Sequence, residues 1–452
     1  MSQNPAPTLF GTDGIRGPAH EYPLDLATVR KAGQAFAKLL REGGEEGPTV
    51  LLGRDTRESG PALTQALAEG LQAAGAQVIS AGVLPTPAVA MGVPHQSLSG
   101  GIMVTASHNP FADNGLKFFG ADGFKLPDEG EAALEALLHD PAFVEERAGG
   151  KELPDPGIRD HFVEQSVAAV GGAGALEGLR MVLDLAHGAS VPVAEAIFTK
   201  AGAEVSVGQA SPTGRNINQA CGAMHPEWMA EAVLAEGADL GVALDGDADR
   251  ALFADASGAL VSGDRILGLA ALALKKAGQL KQNALAVTVM SNLGLHAAMK
   301  AAGIAVEVTP VGDRHVVERM RARDLVLGGE NSGHVIFLDQ ATTGDGIATA
   351  LRLAVLMKES GQSLAELAAF MEEFPQCNLA LEVARKTPLE QVPALLAAIQ
   401  QAEKDLAPDG RVLVRYSGTE AKIRLLTEHA SRERARAALE RLERAVAETI
   451  GA

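Results

Sequence analysis

Asp245, Asp247 and Asp249 alternate with small residues in the run LDGDADR, residues 244–250. Three carboxylates spaced this way can converge on one cation, with Gly246 permitting the tight backbone, and hard oxygen donors suit magnesium. Without a cation they repel one another, since two unit charges 4 Å apart cost about 4 kcal/mol at an effective dielectric of 20. An EF-hand is excluded: its sixth position requires glycine and its twelfth glutamate, where Arg250 and Ala256 stand. Two other readings stay open. One is a plain Asp-Gly turn; the other is a phosphatase with Asp245 as nucleophile, although Asp249 occupies the place where that class carries Thr or Val.

Four further stretches carry reactive groups. VTASHNPFADNGLKFF, 104–119, ends a strand with Ser107 beside His108, closes at Asn109-Pro110, and reads as turning at Asn114-Gly115 to bring Lys117 back toward the serine. That hydroxyl can be a turn residue, a nucleophile or the carrier of a covalent group. RYSGTEAKIR, 415–424, joins Arg415, Lys422 and Arg424 to a Ser417-Gly418-Thr419 turn. Its N–H groups, hydroxyls and guanidiniums can cradle a phosphate, or it is an ordinary hairpin. GGENSGH, 328–334, offers Glu330 and Ser332 to a polyol, with His334 as a titratable neighbour, and FGTDGIRG, 10–17, sets Arg16 on a glycine-flexed loop.

The elements that must position these loops repeat. A unit of apolar strand, polar turn, Ala-rich helix, Ala-Gly and second strand occurs at 50–80, 181–207 and 285–310. Each helix ends at a glycine suited to a left-handed cap: Gly75, Gly202 and Gly303. After each unit comes another apolar strand with a polar end: GIMV before TASHNP, LGVAL before DGDADR, LVLGG before ENSGH. Three matched loops predict a shared site outside the carboxyl ends of the strands. The last stretch breaks the pattern, with strand NLALEVA, a helix, strands RVLVRYS and AKIRLLTEH, and a final helix, an α+β layout after the linker EEFPQ at 372–376. The expected segments are 1–155, 156–256, 257–371 and 372–452.

Composition narrows the partners. The 452 residues, 46% hydrophobic, are enough for several cores. A net charge of −18 with no basic block argues against nucleic acid, and one tryptophan leaves little surface for stacking. No apolar run reaches the ~20 residues of a membrane span, and the start lacks a signal peptide, so the expectation is a cytoplasmic protein with no membrane partner. Cys221 and Cys377 stand apart, which argues against a disulfide framework and structural zinc.

GTDGIRG, TASHNP, DGDADR, GENSGH and the SGTE loop stand in the order found in the α-D-phosphohexomutase superfamily, which the whole chain resembles. SHNPFADNGLKFFGADGFKLPD, NINQACGAMHPE, TPVGDRHV and TTGDGIATAL are similar to its amino-sugar subgroup. The resemblance implies three related α/β domains with mixed sheets and a TATA-binding-protein-like α+β domain around a central cleft. It implies a phosphorylated Ser107, which with Asp245, Asp247 and Asp249 binds Mg²⁺. Glu330 and Ser332 would contact sugar hydroxyls, and Arg415, Ser417, Gly418, Thr419 and Arg424 the phosphate that is not reacting. Arg16, His108, Lys117, Arg250 and His334 match positions that steer phosphoryl groups or protons. The implied reaction interconverts glucosamine 6-phosphate and glucosamine 1-phosphate through a 1,6-bisphosphate, which also serves as activator, in a monomer or homodimer. The same chemistry on glucose or mannose phosphates is the nearest alternative; a phosphatase and a non-catalytic sugar-phosphate binder stand further off. Tyr416 and Ala421 depart from the superfamily, which usually carries proline at both places.

Overall fold

The computed structural model describes residues 9–11, 13–417 and 421–451. Each repeated unit forms three parallel strands plus a fourth, antiparallel one. In the first sheet, strands Gln77–Val83, Thr49–Arg54 and Gly100–Val104 run parallel, and Asp113–Gly120 pairs antiparallel with the last of them. In the second the order is Glu204–Gly208, Arg180–Asp184, Leu240–Leu244, then Ala251–Asp255; in the third, Ala305–Thr309, Ala284–Thr288, Leu327–Gly329, then Val335–Phe337. The sheets are mixed, and the cause is local: each polar loop is a hairpin into an antiparallel strand rather than a lead into a helix. Helix N-termini reach the aspartate loop from other parts of the chain: the first N–H of helix Thr86–His95 donates to Asp247 O at 2.9 Å, and that of helix Gly346–Ser360 to Ala248 O at 3.0 Å.

The predicted left-handed caps are present, with φ of 85° at Gly75, 102° at Gly202 and 64° at Gly303. Asn114-Gly115 is a correction. The pair lies inside strand Asp113–Gly120, and the chain reverses earlier, where Asp113 N–H donates to the Pro110 carbonyl at 3.1 Å. Gly115 is required because a Cβ there would stand 2.5 Å from Thr105 O and 2.6 Å from Ile15 O, the backbones on either side. Hairpin register, with Lys117 as the partner of Met103, brings its ammonium to Asp247 and Asp249 of the aspartate run rather than to the serine itself.

The chain divides into two compact units. One ends at Met290 and takes in Gly303–Ala369; the other joins Ser291–Ala302 to the chain from Phe370 on. The helix of the third repeat, Leu293–Ala301, thus belongs with the C-terminal unit. Its N-cap Asn292 accepts from Phe374 N–H at 2.9 Å and donates to Phe374 O at 2.9 Å, while Leu293 N–H donates to Glu428 Oε1 at 2.6 Å. In that unit, strands Gln376–Glu382, Lys422–His429 and Gly410–Tyr416 pair antiparallel in that order. Helices Pro393–Leu406 and Arg432–Thr449 supply Leu395, Leu406, Leu442 and Val446 to a core shared with Ile423 and Leu425. Among the described residues no helix is long and apolar enough to cross a membrane.

Candidate active site

The first two hairpin loops interlock. Ser107 is fully buried and its φ is 52°, a left-handed conformation that costs a non-glycine residue about 1 kcal/mol or more. Its Oγ donates to Asp245 Oδ2 at 2.7 Å and lies 3.3 Å from His108 Nδ1; its N–H donates to Thr105 Oγ1 at 2.9 Å. Gly246 makes the approach possible, since a Cβ there would sit 2.5 Å from the Ser107 carbonyl oxygen. The glycine of the aspartate run thus serves contact between loops as well as the turn.

Lys117, 1% exposed, is the counter-ion of the cluster. Its ammonium meets Asp247 Oδ2 at 2.8 Å, Asp249 Oδ2 at 2.9 Å and Asp13 Oδ2 at 3.1 Å. Asp13 also pairs with Arg16 and Lys125, and Lys125 with Asp313. Burial works against the charge on Lys117, but Asp13, Asp247 and Asp249 outweigh it and hold the amine well above its ordinary range. Burial, then Asp249 and Asp247, push Asp245 well above the usual carboxylate range. At Asp249 burial is overcome by Lys117 and His334, and the carboxyl is held well below that range. Neighbouring acids thus titrate in opposite directions because one lysine serves only some of them.

His108 is pushed down to about 4 by burial and by the Arg250 and Arg16 guanidiniums, so it is neutral at pH 7; Arg250 Nη1 stands 3.0 Å from its Nδ1. His334 comes from the third hairpin, its Nδ1 3.6 Å from Asp249 Oδ1 and its Nε2 3.7 Å from Asp313 Oδ2. Burial lowers its pKa, but Asp249 and Asp313 more than reverse this and raise it. Gly344 N–H donates to Nε2 at 3.2 Å, which in the neutral ring leaves the proton on Nδ1, facing Asp249. Glu330 accepts from Gly312 N–H at 3.1 Å and helps keep Arg250 charged, whereas Ser332 is exposed at the tip of the same hairpin.

Ser107, His108, Lys117, Arg250 and His334 are therefore assembled around the triad, and Arg16 joins them through Asp13. Arg415, Ser417 and Arg424 belong to the C-terminal unit. There Arg415 and Arg424 are direct cross-strand partners, so both side chains share one face of the sheet. Gly418 and Thr419 lie outside the described residues. The flanks of that loop are tied despite the missing prolines: Tyr416 OH donates to Thr387 O at 2.6 Å, and Val383 N–H donates to Ala421 O at 2.9 Å.

Sequence reasoning missed Asp13, Lys125 and Asp313, and also Thr86, whose hydroxyl donates to Asp247 Oδ2 at 2.5 Å. Arg57 and Asn218, which grip the serine loop, were missed too. Asp13, Lys125, Asn218 and Asp313 stood inside quoted motifs, GTDGIRG, SHNPFADNGLKFFGADGFKLPD, NINQACGAMHPE and TPVGDRHV, but were not singled out there.

The donor set suits a divalent cation. The three aspartates each offer an oxygen within 4.8 Å of the others, and Asp247 Oδ1 and Asp249 Oδ1 are buried with no hydrogen-bond partner. Buried carboxylate oxygens left open in this way cost free energy unless a cation fills them.

Comparison with known proteins agrees with the geometry. Four families match in chain order: phosphoglucomutase/phosphomannomutase alpha/beta/alpha domain I over residues 7–145, domain II over 160–258, domain III over 262–374 and the C-terminal domain over 378–445. A solved phosphoglucomutase/phosphomannomutase family protein from Burkholderia thailandensis is 26% identical, with a TM-score of 0.82 and 97% of each chain covered. A mixed-sheet chain of this build, with a buried serine set on an aspartate triad, is an intramolecular phosphotransferase of the α-D-phosphohexomutase superfamily. The phosphoglucosamine mutase of Koribacter versatilis is 45% identical over 99% of this chain and 98% of its own, and that of Anaeromyxobacter dehalogenans 43% identical over 98% and 99%. The chain belongs to the phosphoglucosamine mutase family.

Proposed function

We propose that this enzyme interconverts glucosamine 6-phosphate and glucosamine 1-phosphate in the cytoplasm, as a monomer or homodimer, through a phosphorylated Ser107 and a sugar 1,6-bisphosphate. The observation that carries the reading is the buried Ser107 hydroxyl 2.7 Å from Asp245, in a loop locked to the aspartate run. In the first half-reaction the sugar O1 attacks the phosphorus on Ser107; the P–Oγ bond breaks, the P–O1 bond forms, and the proton given up by O1 is balanced by one taken up on Oγ, which leaves Ser107 as a free hydroxyl. In the second, the turned bisphosphate returns its 6-phosphoryl group to Ser107 Oγ. Oγ must then lose its own proton, and neutral His108 stands 3.3 Å away to help orient it. Arg16 and Arg250 offset charge on the phosphoryl oxygens, and Lys117 holds Asp247 and Asp249 in place.

Ser107, Asp245, Asp247 and Asp249 would hold Mg²⁺, which when bound supplies charge neutralisation for the phosphoryl group in transfer. Glu330 and Ser332 would read sugar hydroxyls, and Arg415, Ser417, Gly418, Thr419 and Arg424 the idle phosphate. An N-acetylphosphoglucosamine mutase from Aspergillus fumigatus, 19% identical with a TM-score of 0.68 and 97% and 95% of the chains covered, was solved with GlcNAc-6P and magnesium.

The test has two arms. Peptide mass analysis should find phosphate on Ser107, absent together with turnover in Ser107→Ala. Activity retained by Ser107→Ala, with a covalent phosphate lost in Asp245→Asn, would favour an aspartyl phosphatase. The kcat/KM for glucosamine 6-phosphate should exceed those for glucose and mannose 6-phosphates; equal values would overturn the substrate while leaving the chemistry.

A further inference from the structure

The serine loop is gripped by its carbonyls. The Ser107 carbonyl oxygen accepts from Arg57 Nη2 at 3.0 Å and from Asn218 Nδ2 at 2.8 Å. Both donors extend along the loop. Arg57 also donates to Asn109 O at 2.8 Å, to Asp113 O at 2.9 Å and to Pro110 O, and Asn218 donates to Asn109 O at 3.2 Å. Arg57 is 0% exposed and is aligned by Asp55, whose Oδ2 accepts from its Nε at 2.8 Å and from the Thr105 hydroxyl at 2.7 Å. Asn218 arrives from the segment after strand Glu204–Gly208, in the second sheet's part of the chain, with its own φ at 57°. A left-handed turn forgoes the strand ladder, so its carbonyls need donors from elsewhere. Here one guanidinium and one amide, from loops that follow strands of two different sheets, supply them.

We propose that Arg57 and Asn218 are positioning residues for phosphoryl transfer: by fixing the Ser107 carbonyl they fix its left-handed backbone, and with it the direction of Oγ toward Asp245. The proposal rests on the mutase reading above, in which one serine both gives and takes a phosphoryl group and must hold one geometry through both transfers. Displacement of a reacting group by about 1 Å is worth roughly 100-fold in rate.

Asn218 gives the cleaner experiment, because Arg57 variants, Arg57→Lys included, risk unfolding the loop. In Asn218→Ala, kcat and the rate of Ser107 phosphorylation by glucosamine 1,6-bisphosphate should both fall by about 10- to 100-fold, with KM within about threefold of wild type and the melting temperature nearly unchanged. Asn218→Asp, the same size but with an oxygen facing the two carbonyls, should be slower still. A packing role predicts the reverse order. Asn218→Ala rates within about twofold of wild type, or Asn218→Asp outperforming Asn218→Ala, would overturn the clamp. A wild-type protein that is phosphorylated on Ser107 without mutase turnover would count against the proposed function, and the phosphorylation rates would still judge the clamp.

Discussion

Each of the two units buries carboxylates, and it treats them differently. In the C-terminal unit Glu428 is fully buried and fully served: Oε1 accepts from Leu293 N–H at 2.6 Å, at the N-terminus of helix Leu293–Ala301, and Oε2 from Arg411 Nε at 2.7 Å. That is a closed structural pair, stabilised also by the helix end. In the larger unit Asp247 and Asp249 are just as buried, yet each keeps one oxygen without a hydrogen bond although Lys117 holds the other, and that of Asp249 has His334 Nδ1 at 3.6 Å. Satisfied carboxylates hold a fold together; open ones, placed beside a serine, are set for chemistry. Asp345 shows a third solution. Its Oδ2 is also without a partner, and burial pushes the acid up to about 6, against its backbone hydrogen bonds, so it is kept closer to neutral.

The contrast can be broken at either end. Asp247→Asn should cut turnover by about 10³-fold or more, because it removes charge from the transfer site, while leaving stability equal or higher as repulsion falls. A variant within tenfold of wild type would remove Asp247 from the site. Glu428→Ala should do the opposite: about 3 kcal/mol lost from the unfolding of the C-terminal unit in urea, because Arg411 and the helix end lose their partner. Unchanged stability would show that the pair is not structural.

Magnesium should raise the wild-type melting temperature, by up to about 2.7 kcal/mol of stabilisation at 100 times its dissociation constant, and should have much less effect on Asp247→Asn. Equal shifts in both proteins would mean that the ion binds elsewhere. The smallest effect concerns Asp345. Its folded pKa of about 6 lies above the ordinary 3.8, so between those values the folded state holds a proton that the unfolded state has released. Stability from this group is therefore lost as pH rises from 4 to 6, by roughly 3 kcal/mol at most. Asp345→Asn, still able to cap helix Gly346–Ser360, should gain on wild type across that range and run parallel to it above. A gain that is flat with pH would refute the assignment.

Much of this was legible in the chain. The repeat gave the central parallel strands, because apolar runs and Ala-Gly helix ends are local signals. The aspartate run and TASHNP stood out because their spacing is itself the chemistry. What remained hidden lay at a distance. Asn114-Gly115 is a turn by local preference, but close backbones on both sides make it a strand. The helix at Leu293 reads as part of the third repeat, but Glu428 and Phe374, far along the chain, claim its N-terminus. Arg57 carries no signal in the sequence, since nothing local says that a guanidinium will be buried under carbonyls fifty residues away.

By itself, then, the sequence determined the class of elements, the reactive groups and the loops that carry them, all set by short-range periodicity and side-chain chemistry. Only the tertiary structure decided which oxygens of the triad are open, which counter-ion sits among them and what holds Ser107 left-handed. Those depend on burial and on contacts between segments from different sheets, and charge and hydrogen bonding gain their strength only where water has been excluded.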